Sequence, residues 1–252
     1  MERNNATLHL ARIDEAVAAR DLQAVRWLLG ETQALDHASG RAYGTDSLVE
    51  TFRWIIERFA GLAYGNEPLA VLGPSLALAR WRESGSEVAG DDLPIGPFEL
   101  EGTVLVEADS GARSTRVEIY GADHLGDAVA RLYERHAEIL PEGPERDRAA
   151  ATARSVAALM APPDRWSFAS DAEAKDHRTV GFGSLHGADA VVRAIRALSQ
   201  LTDDWDFRIN DVLDLRSDRS SCAGRTRAPT APAAAPSSGF SACSGSSGPT
   251  AS

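Results

Sequence analysis

"ALDHASGRAYGTDSLVETFRWIIERF", from Ala34 to Phe59, decides the fold. Its second half is an amphipathic helix opened by Thr45. Leu48, Val49, Phe52, Ile55, Ile56 and Phe59 recur at helical spacing and form one apolar stripe. Its first half, "ALDHASGRAYG", is polar and reads as extended chain. A one-sided helix must cover a sheet or other helices, so its neighbours in sequence matter. Upstream, Leu10, Ile13, Ala16 and Val17 mark a first helix. Asp21 then caps a second, short helix carrying Leu22, Val25, Leu28 and Leu29, with Gly30 as its stop. Downstream come four strand-like runs: "PLAVLG", "SLALARWRE", "GPFELEGTVLVEAD" and "ARSTRVEIYG". The link "ADSGAR" has the composition of a hairpin turn. Asp123 opens a further helix through about His136.

The same order recurs. "KDHRTVGFGSLHGADAVVRAIRAL", from Lys175 to Leu198, pairs Asp176-His177 with Asp36-His37. His186-Gly187-Ala188-Asp189 stands where Tyr43-Gly44-Thr45-Asp46 stands in the first copy. "PEGPERDRAAATARSVAALM" supplies the preceding helix, and "WDFRINDVLDL" a following strand. This is an internal duplication with a period near 140 residues. The expected domains are residues 1–138, complete, and 144–217, truncated. The break falls at "ILPEGPER", where Pro141, Gly143 and Pro144 punctuate the chain.

Past Asp218 the composition turns to Ala, Ser, Pro and Gly, with three arginines and no acid. Such a segment, 218–252, is expected to be a disordered tail. The second copy loses its later strands there. Back-translated with GC-rich codons and shifted by one base after Asp218, the tail decodes to an apolar strand ending in Arg-Trp. Gly-Ala-Phe-Glu and another strand follow. Copy one has "ALARWR", "GPFE" and "EGTVLVEADSG" in that order. A frameshift near codon 218 is the expectation; a genuine linker is the competing one. With its sheet missing, the stripe Val191, Ile195 and Leu198 is expected to lie uncovered, giving poor solubility or a dimer.

The formal charge of -11 argues against a nucleic-acid partner, which would need a basic face. No run approaches the length of a membrane span. The opening "MERNNATLHL" has no secretory pattern, so a cytoplasmic setting is expected. Cys222 and Cys243 both lie in the tail, which excludes a disulfide framework and cysteine chemistry from the body. No metal cluster or cofactor motif is present. "GFGSLHG" lacks the third glycine of a dinucleotide loop, because His186 stands in its place.

Two short helices, an extended piece, a long amphipathic helix and antiparallel strands resemble one architecture. It is the nuclear transport factor 2-like superfamily, with its SnoaL-like polyketide cyclases and ketosteroid isomerases, here in tandem. "IDEAVAARDLQAVRWLLGE", "ALDHASGRAYGTDSLVETFRWIIERF" and "GARSTRVEIYG" carry the resemblance in copy one. The resemblance implies α+β cones, helices packed on a curved antiparallel sheet, enclosing an apolar cavity for a small hydrophobic molecule. It implies a general-base carboxylate in catalytic members, with a Tyr or protonated acid at the enolate. It also resembles modules at the end of larger bacterial regulators. A homodimer is the expected assembly. Two functions stay open: acid–base chemistry on a hydrophobic carbonyl compound, and non-catalytic dimerisation or ligand sensing.

Candidate residues follow. Neighbours on an extended segment point oppositely, so His37 and His177 are expected to face the cavity and Asp36 and Asp176 backbone or solvent. The competing role is structural, orienting the loop before the helix. Tyr43, Trp54 and Trp81 are expected ligand contacts, against the plainer role of core aromatics. Arg178 could meet an anionic ligand or form a surface ion pair. Glu118, Tyr120 and Arg116 share one strand face, and Thr115, Val117 and Ile119 the other. The apolar set is expected to face the core. Glu118 and Tyr120 then lie on the outer face at a dimer contact, with a buried Glu118 base as the competing reading.

Overall fold

The computed structural model describes residues 3–59, 61–85, 97–161, 166, 168, 170–175 and 183–200, and, as backbone strands, 206–216, 219–227 and 239–243. The chain is α+β and divides into two compact units, Met1–His124 and Leu125–Ser252. The division precedes the helix that starts at Leu125, whereas the expected break follows it.

Unit 1 opens with α1 (Asn5–Ala18) and α2 (Leu22–Leu29). Asn4 caps α1 reciprocally: its side chain accepts from the Thr7 amide at 2.9 Å, and its own amide donates to Thr7 Oγ1 at 2.9 Å. Asn4 Nδ2 also donates to the carbonyls of Gly73 and Leu76, pinning the helix start to a turn between strands. The hairpin β1 (Gln33–Asp36) and β2 (Arg41–Gly44) leads into α3 (Thr45–Arg58). The expected helix therefore starts where Thr45 placed it. Thr45 Oγ1 accepts from the Thr32 amide and donates to the Gly30 carbonyl, both at 2.9 Å. Arg20 closes the other end of α3, donating to the carbonyls of Ile56 and Phe59.

Four strands follow: β3 (Ala63–Leu72), β4 (Leu76–Gly85), β5 (Phe98–Ala108) and β6 (Ser114–Gly121). All six join one sheet in the order β2-β1-β6-β5-β4-β3. Every pair is antiparallel except β1 with β6, which is parallel. Register shifts in the β3–β4 and β5–β6 ladders increase local twist and bend the sheet. Its inner face packs on α1: Ala77, Ala79, Val104, Val106 and Ala108 meet Ala6 and Leu10. The alanines let the helix backbone come close. The opposite face is also buried, with Leu76, Leu78 and Leu105 at 0% exposure. Each such side chain contributes about 1.5–3 kcal/mol on burial.

Unit 2 begins with α4 (Leu125–Ile139) and α5 (Pro144–Met160) packed together. Ala149, Ala153 and Val156 form the buried stripe of α5. A two-stranded hairpin, β7 (Glu173–Lys175) with β8 (Ser184–His186), leads into α6 (Ala188–Ser199). The stripe of α6 is covered. Val191 and Ile195 are buried with Trp166, and Phe168, Ala174 and Leu185 pack on them. This corrects the expectation of an open apolar face: the segment's own hairpin and the aromatics before it supply a small core. The Leu198 side chain lies outside the described residues. Three strands, β9 (Asp206–Arg216), β10 (Arg219–Arg227) and β11 (Gly239–Cys243), form an antiparallel sheet in the order β11-β10-β9. Two of these strands, β10 and β11, fall within 218–252, and the rest of that segment lies outside the described residues. Their pairing satisfies the backbone groups of β9, which composition does not reveal.

Candidate functional site

Side chains alternate along strands, so the register of unit 1 sorts its polar residues onto two faces. Tyr64 stands opposite Glu83, and Asn66 opposite Trp81, on the β3–β4 ladder. The four form a patch two residues by two. Cross-strand neighbours of this kind have Cβ atoms about 4.5–5.5 Å apart. The patch faces inward, because Asp14 of α1 reaches it: Oδ1 accepts from Asn66 Nδ2 at 2.6 Å and Oδ2 from the Asn66 amide at 3.1 Å. Phe52 of α3 borders it, edge-on to Tyr64 at 5.7 Å between ring centroids.

Three groups in this patch titrate abnormally. Burial pushes the Asp14 carboxyl up, against the two hydrogen bonds from Asn66 that favour its charge. Burial alone pushes Glu83 up. Burial also raises the Tyr64 phenol, with Asp14 and Glu83 adding to the effect. Among the described residues Glu83 has no hydrogen-bond or ion-pair partner. Trp81 Nε1 is buried and has no hydrogen-bond partner among them either. The indole lies over Gly102: a Cβ built there would come within 2.7 Å of Trp81 Nε1 and 2.6 Å of the Tyr120 carbonyl oxygen. Glycine at 102 makes room for this ring. A buried donor without a partner costs about 1–3 kcal/mol, so a ligand acceptor there is worth binding.

The opposite face carries a second cluster. Glu118 is fully buried. Its Oε1 accepts from Arg116 Nε at 2.6 Å. Its Oε2 lies 2.8 Å from His37 Nε2 and accepts from the Tyr120 hydroxyl at 3.1 Å. The His37 ring stacks on Tyr120 with centroids 4.1 Å apart and planes 11° apart. The His37 amide donates to the Ile119 carbonyl at 2.9 Å, so the parallel β1–β6 pairing sets the ring's position.

The expected apolar set does face α1, since Val117 and Ile119 pack on that core. The expected exposure of Glu118 and Tyr120 is corrected. Both are buried, at 0% and 4% exposure. Alternation shows which residues share a face, but not that the second face is covered as well.

Of the other candidates, Asp36 shapes the turn after β1. Its carboxylate accepts from Ser39 Oγ at 2.6 Å and from the Ala38 amide at 2.9 Å, and the Ser39 bond holds its pKa below the usual range. Tyr43 is half-buried on β2, across from Ala34. Trp54 is 48% exposed and meets Phe59 edge-on at 5.5 Å. Trp81 belongs to the inner patch. Asp176, His177 and Arg178 lie outside the described residues. Asp14, Tyr64, Asn66 and Glu83 were not among the expected site residues. A signal existed for Glu83: it is spaced by twos from Ala77, Ala79 and Trp81, so it shares their face.

Among the described residues no group of three or more His, Cys, Asp or Glu could hold a metal ion. None of their helices is long and apolar enough to cross a membrane.

Unit 1 is α+β, three helices with a six-stranded, mostly antiparallel sheet, the element order that the resemblance implied. No protein-family model matches the chain, and no curated protein does. Solved structures similar to it include a candidate polyketide cyclase from Xanthomonas campestris pv. campestris. That protein is 19% identical, over 51% of this chain and 96% of its own, with a TM-score of 0.38. A nuclear transport factor 2-like protein of unknown function from Exiguobacterium sp. 255-15 is 15% identical, over 44% of this chain and 96% of its own, with a TM-score of 0.35. A protein with a ketosteroid isomerase-like fold from Catenulispora acidiphila DSM 44928, solved with trimethylamine, is 15% identical. It covers 44% of this chain and 83% of its own, with a TM-score of 0.36.

Proposed function

We propose that unit 1 binds a small, mostly apolar, carbonyl-bearing molecule on the inner face of its sheet, where Glu83 performs acid–base chemistry on it. The observation that carries this is the buried indole N–H of Trp81 beside Glu83, which has no hydrogen-bond partner among the described residues. A carbonyl oxygen accepting from Trp81 Nε1 and the Tyr64 hydroxyl would place its neighbouring carbon near the Glu83 carboxylate. Glu83 takes a proton from that carbon. The C–H electron pair moves into an enolate whose oxygen the two donors stabilise. The proton then returns at another position, which is an isomerisation, or the enolate carbon attacks a second carbonyl of the ligand, whose C=O π bond opens to an alkoxide that takes the proton back from Glu83. Burial suits Glu83 to this exchange, since it brings a carboxyl closer to neutrality.

A thermal-shift screen of the whole chain against steroids, aromatic polyketides and enones tests the binding. Trp81→Phe, which keeps the ring and removes the donor, is expected to lower the shift. Glu83→Gln is expected to retain the shift and to slow exchange of the ligand's α-proton roughly a hundredfold or more. No shift with any class, or an unchanged shift in Trp81→Phe, overturns the site. Binding without proton exchange in the unaltered protein leaves the second function, a ligand-sensing module. The proposal takes the assembly as a cytoplasmic homodimer, which light scattering checks.

The proposal extends to the chain's organisation. Residues 1–138 and 144–217 are taken as two copies, the second interrupted by a frameshift near codon 218. Both hairpin-then-helix segments support the duplication: β1–β2 precedes α3, and β7–β8 precedes α6. Resequencing genomic DNA across codon 218 tests the interruption, and an intact reading frame there removes it.

A further inference from the structure

We propose that His37 and Glu118 form a second acid–base site, separate from the inner patch, in which a carboxylate-held imidazole activates water toward small acyl esters. Three restraints fix the ring. Its backbone amide is bonded to Ile119, its face is stacked on Tyr120, and its Nε2 lies 2.8 Å from Glu118 Oε2. A carboxylate without a proton accepts only, so the neutral ring carries its proton on Nε2. Nδ1 then holds the lone pair, on the side away from Glu118. Among the described residues no hydrogen bond reaches Nδ1, and the side chain is 35% exposed. Solvent therefore reaches an imidazole whose tautomer, when neutral, is set by Glu118.

The surroundings make the arrangement durable. The fully buried Glu118 is balanced by the Arg116 guanidinium on its other oxygen, at 2.6 Å. That ion pair lets a carboxylate stay charged inside the fold. The Tyr120 hydroxyl occupies a further acceptor direction of Oε2. Glu118 is a positioning residue here, and His37 is the group that would meet the substrate. The same division of labour, a buried carboxylate orienting an imidazole, holds the base of a Ser-His-Asp triad.

The step balances with water as co-reactant. Water oxygen attacks the acyl carbon while His37 Nδ1 takes its proton. The tetrahedral intermediate then collapses, the C–O bond to the leaving group breaks, and the imidazolium returns the proton to the departing oxygen. An acid and an alcohol result. Among the described residues the cluster's members are His37, Arg116, Glu118 and Tyr120, with no serine or cysteine nucleophile, so an activated ester is the substrate class that fits.

The probe is 4-nitrophenyl acetate with the full-length chain, followed by 4-nitrophenolate release. The unaltered protein is expected to exceed His37→Asn by about tenfold or more. Glu118→Gln is expected to lose roughly tenfold, as for loss of a partner that orients a catalytic imidazole. Equal rates in all three proteins overturn the site. The second measurement needs no variant: long-range proton–nitrogen correlation spectra report the imidazole tautomer. His37 is expected as the Nε2–H form in the unaltered protein and as a mixture in Glu118→Gln. An Nδ1–H form in the unaltered protein overturns the inference even if a variant fails to fold.

Discussion

Two segments of the molecule start alike and end differently. In both, a short antiparallel hairpin turns directly into an amphipathic helix: β1–β2 into α3, and β7–β8 into α6. The first hairpin then joins a six-stranded sheet through parallel pairing with β6. The second remains a two-stranded sheet, closed by Trp166 and the stripe of α6. The hairpin and helix are therefore specified locally, by turn residues and helical spacing. The polar clusters are not. His37 meets Glu118 across 81 positions of chain, and Asp14 meets Asn66 across 52. Among the described residues the second hairpin has a small core and one exposed ion pair, His186 with Glu173 at 3.3 Å.

Removing the carboxylate that ties the first hairpin to β6 should break this comparison most strongly. Glu118→Ala strands Arg116 and leaves His37 and Tyr120 without their shared acceptor. Breaking a buried ion pair costs about 3–5 kcal/mol. Ile195→Ala in the small core of unit 2 is expected to cost roughly 2 kcal/mol, the low end for buried truncations, because that cluster can collapse. Urea unfolding followed by tryptophan fluorescence measures both. A larger loss in Ile195→Ala would mean that the second segment, and not the first, holds the tighter core.

Acid should also separate the segments. His9 of α1 is 3% exposed, and its Nδ1 lies 3.2 Å from the Ala112 carbonyl oxygen. Burial lowers its pKa from 6.5 to about 4. Such a histidine stays neutral when folded and protonates first when unfolded. Its contribution is present above pH 6.5 and is lost as pH falls toward about 4, because the unfolded chain binds the extra proton. The loss amounts to about 3 kcal/mol. Asp14 and Glu83, both raised by burial, act oppositely, since the folded state protonates them first as pH falls. His9→Gln should remove the histidine's share and flatten the melting-temperature profile between pH 6.5 and 4. An unchanged slope would assign the acid response elsewhere.

Much of the fold was legible for the same reason that the hairpins are alike. The spacing of Leu10, Ile13, Ala16 and Val17 places α1 and its buried side, and all four are buried. Thr45 marks the first residue of α3. Gly30 marks the end of α2 and has a φ of +55° that favours glycine. The sites were less legible. Asp14 reads as one more polar residue on a helix, and only the β3–β4 register brings Asn66 under it. Glu118 reads as the polar half of an alternating strand, a pattern that fits a solvated face. Its burial depends on what covers the sheet, and alternation carries no information about that.

The helices of the two units also differ in how they begin, and here the expected effect is smallest. Asp21 caps α2 with its carboxylate, which accepts from the amides of Gln23 at 3.0 Å and Ala24 at 2.9 Å. Asp21→Ala should cost about 1 kcal/mol of unit 1 stability. Gly187 precedes α6 and offers no side-chain acceptor, so a serine there looks like an improvement on paper. Its backbone argues otherwise. The φ of Gly187 is +85°, a region where a Cβ meets the following peptide. A serine cap gains only a few tenths of a kcal/mol over glycine, while a side chain at positive φ costs roughly 1 kcal/mol. Gly187→Ser is therefore expected to lower stability slightly, by less than Asp21→Ala. Thermal melts of the two variants measure the difference. A stabilised Gly187→Ser would show that α6 starts from ordinary extended backbone, as α3 does at Gly44 with its φ of -90°.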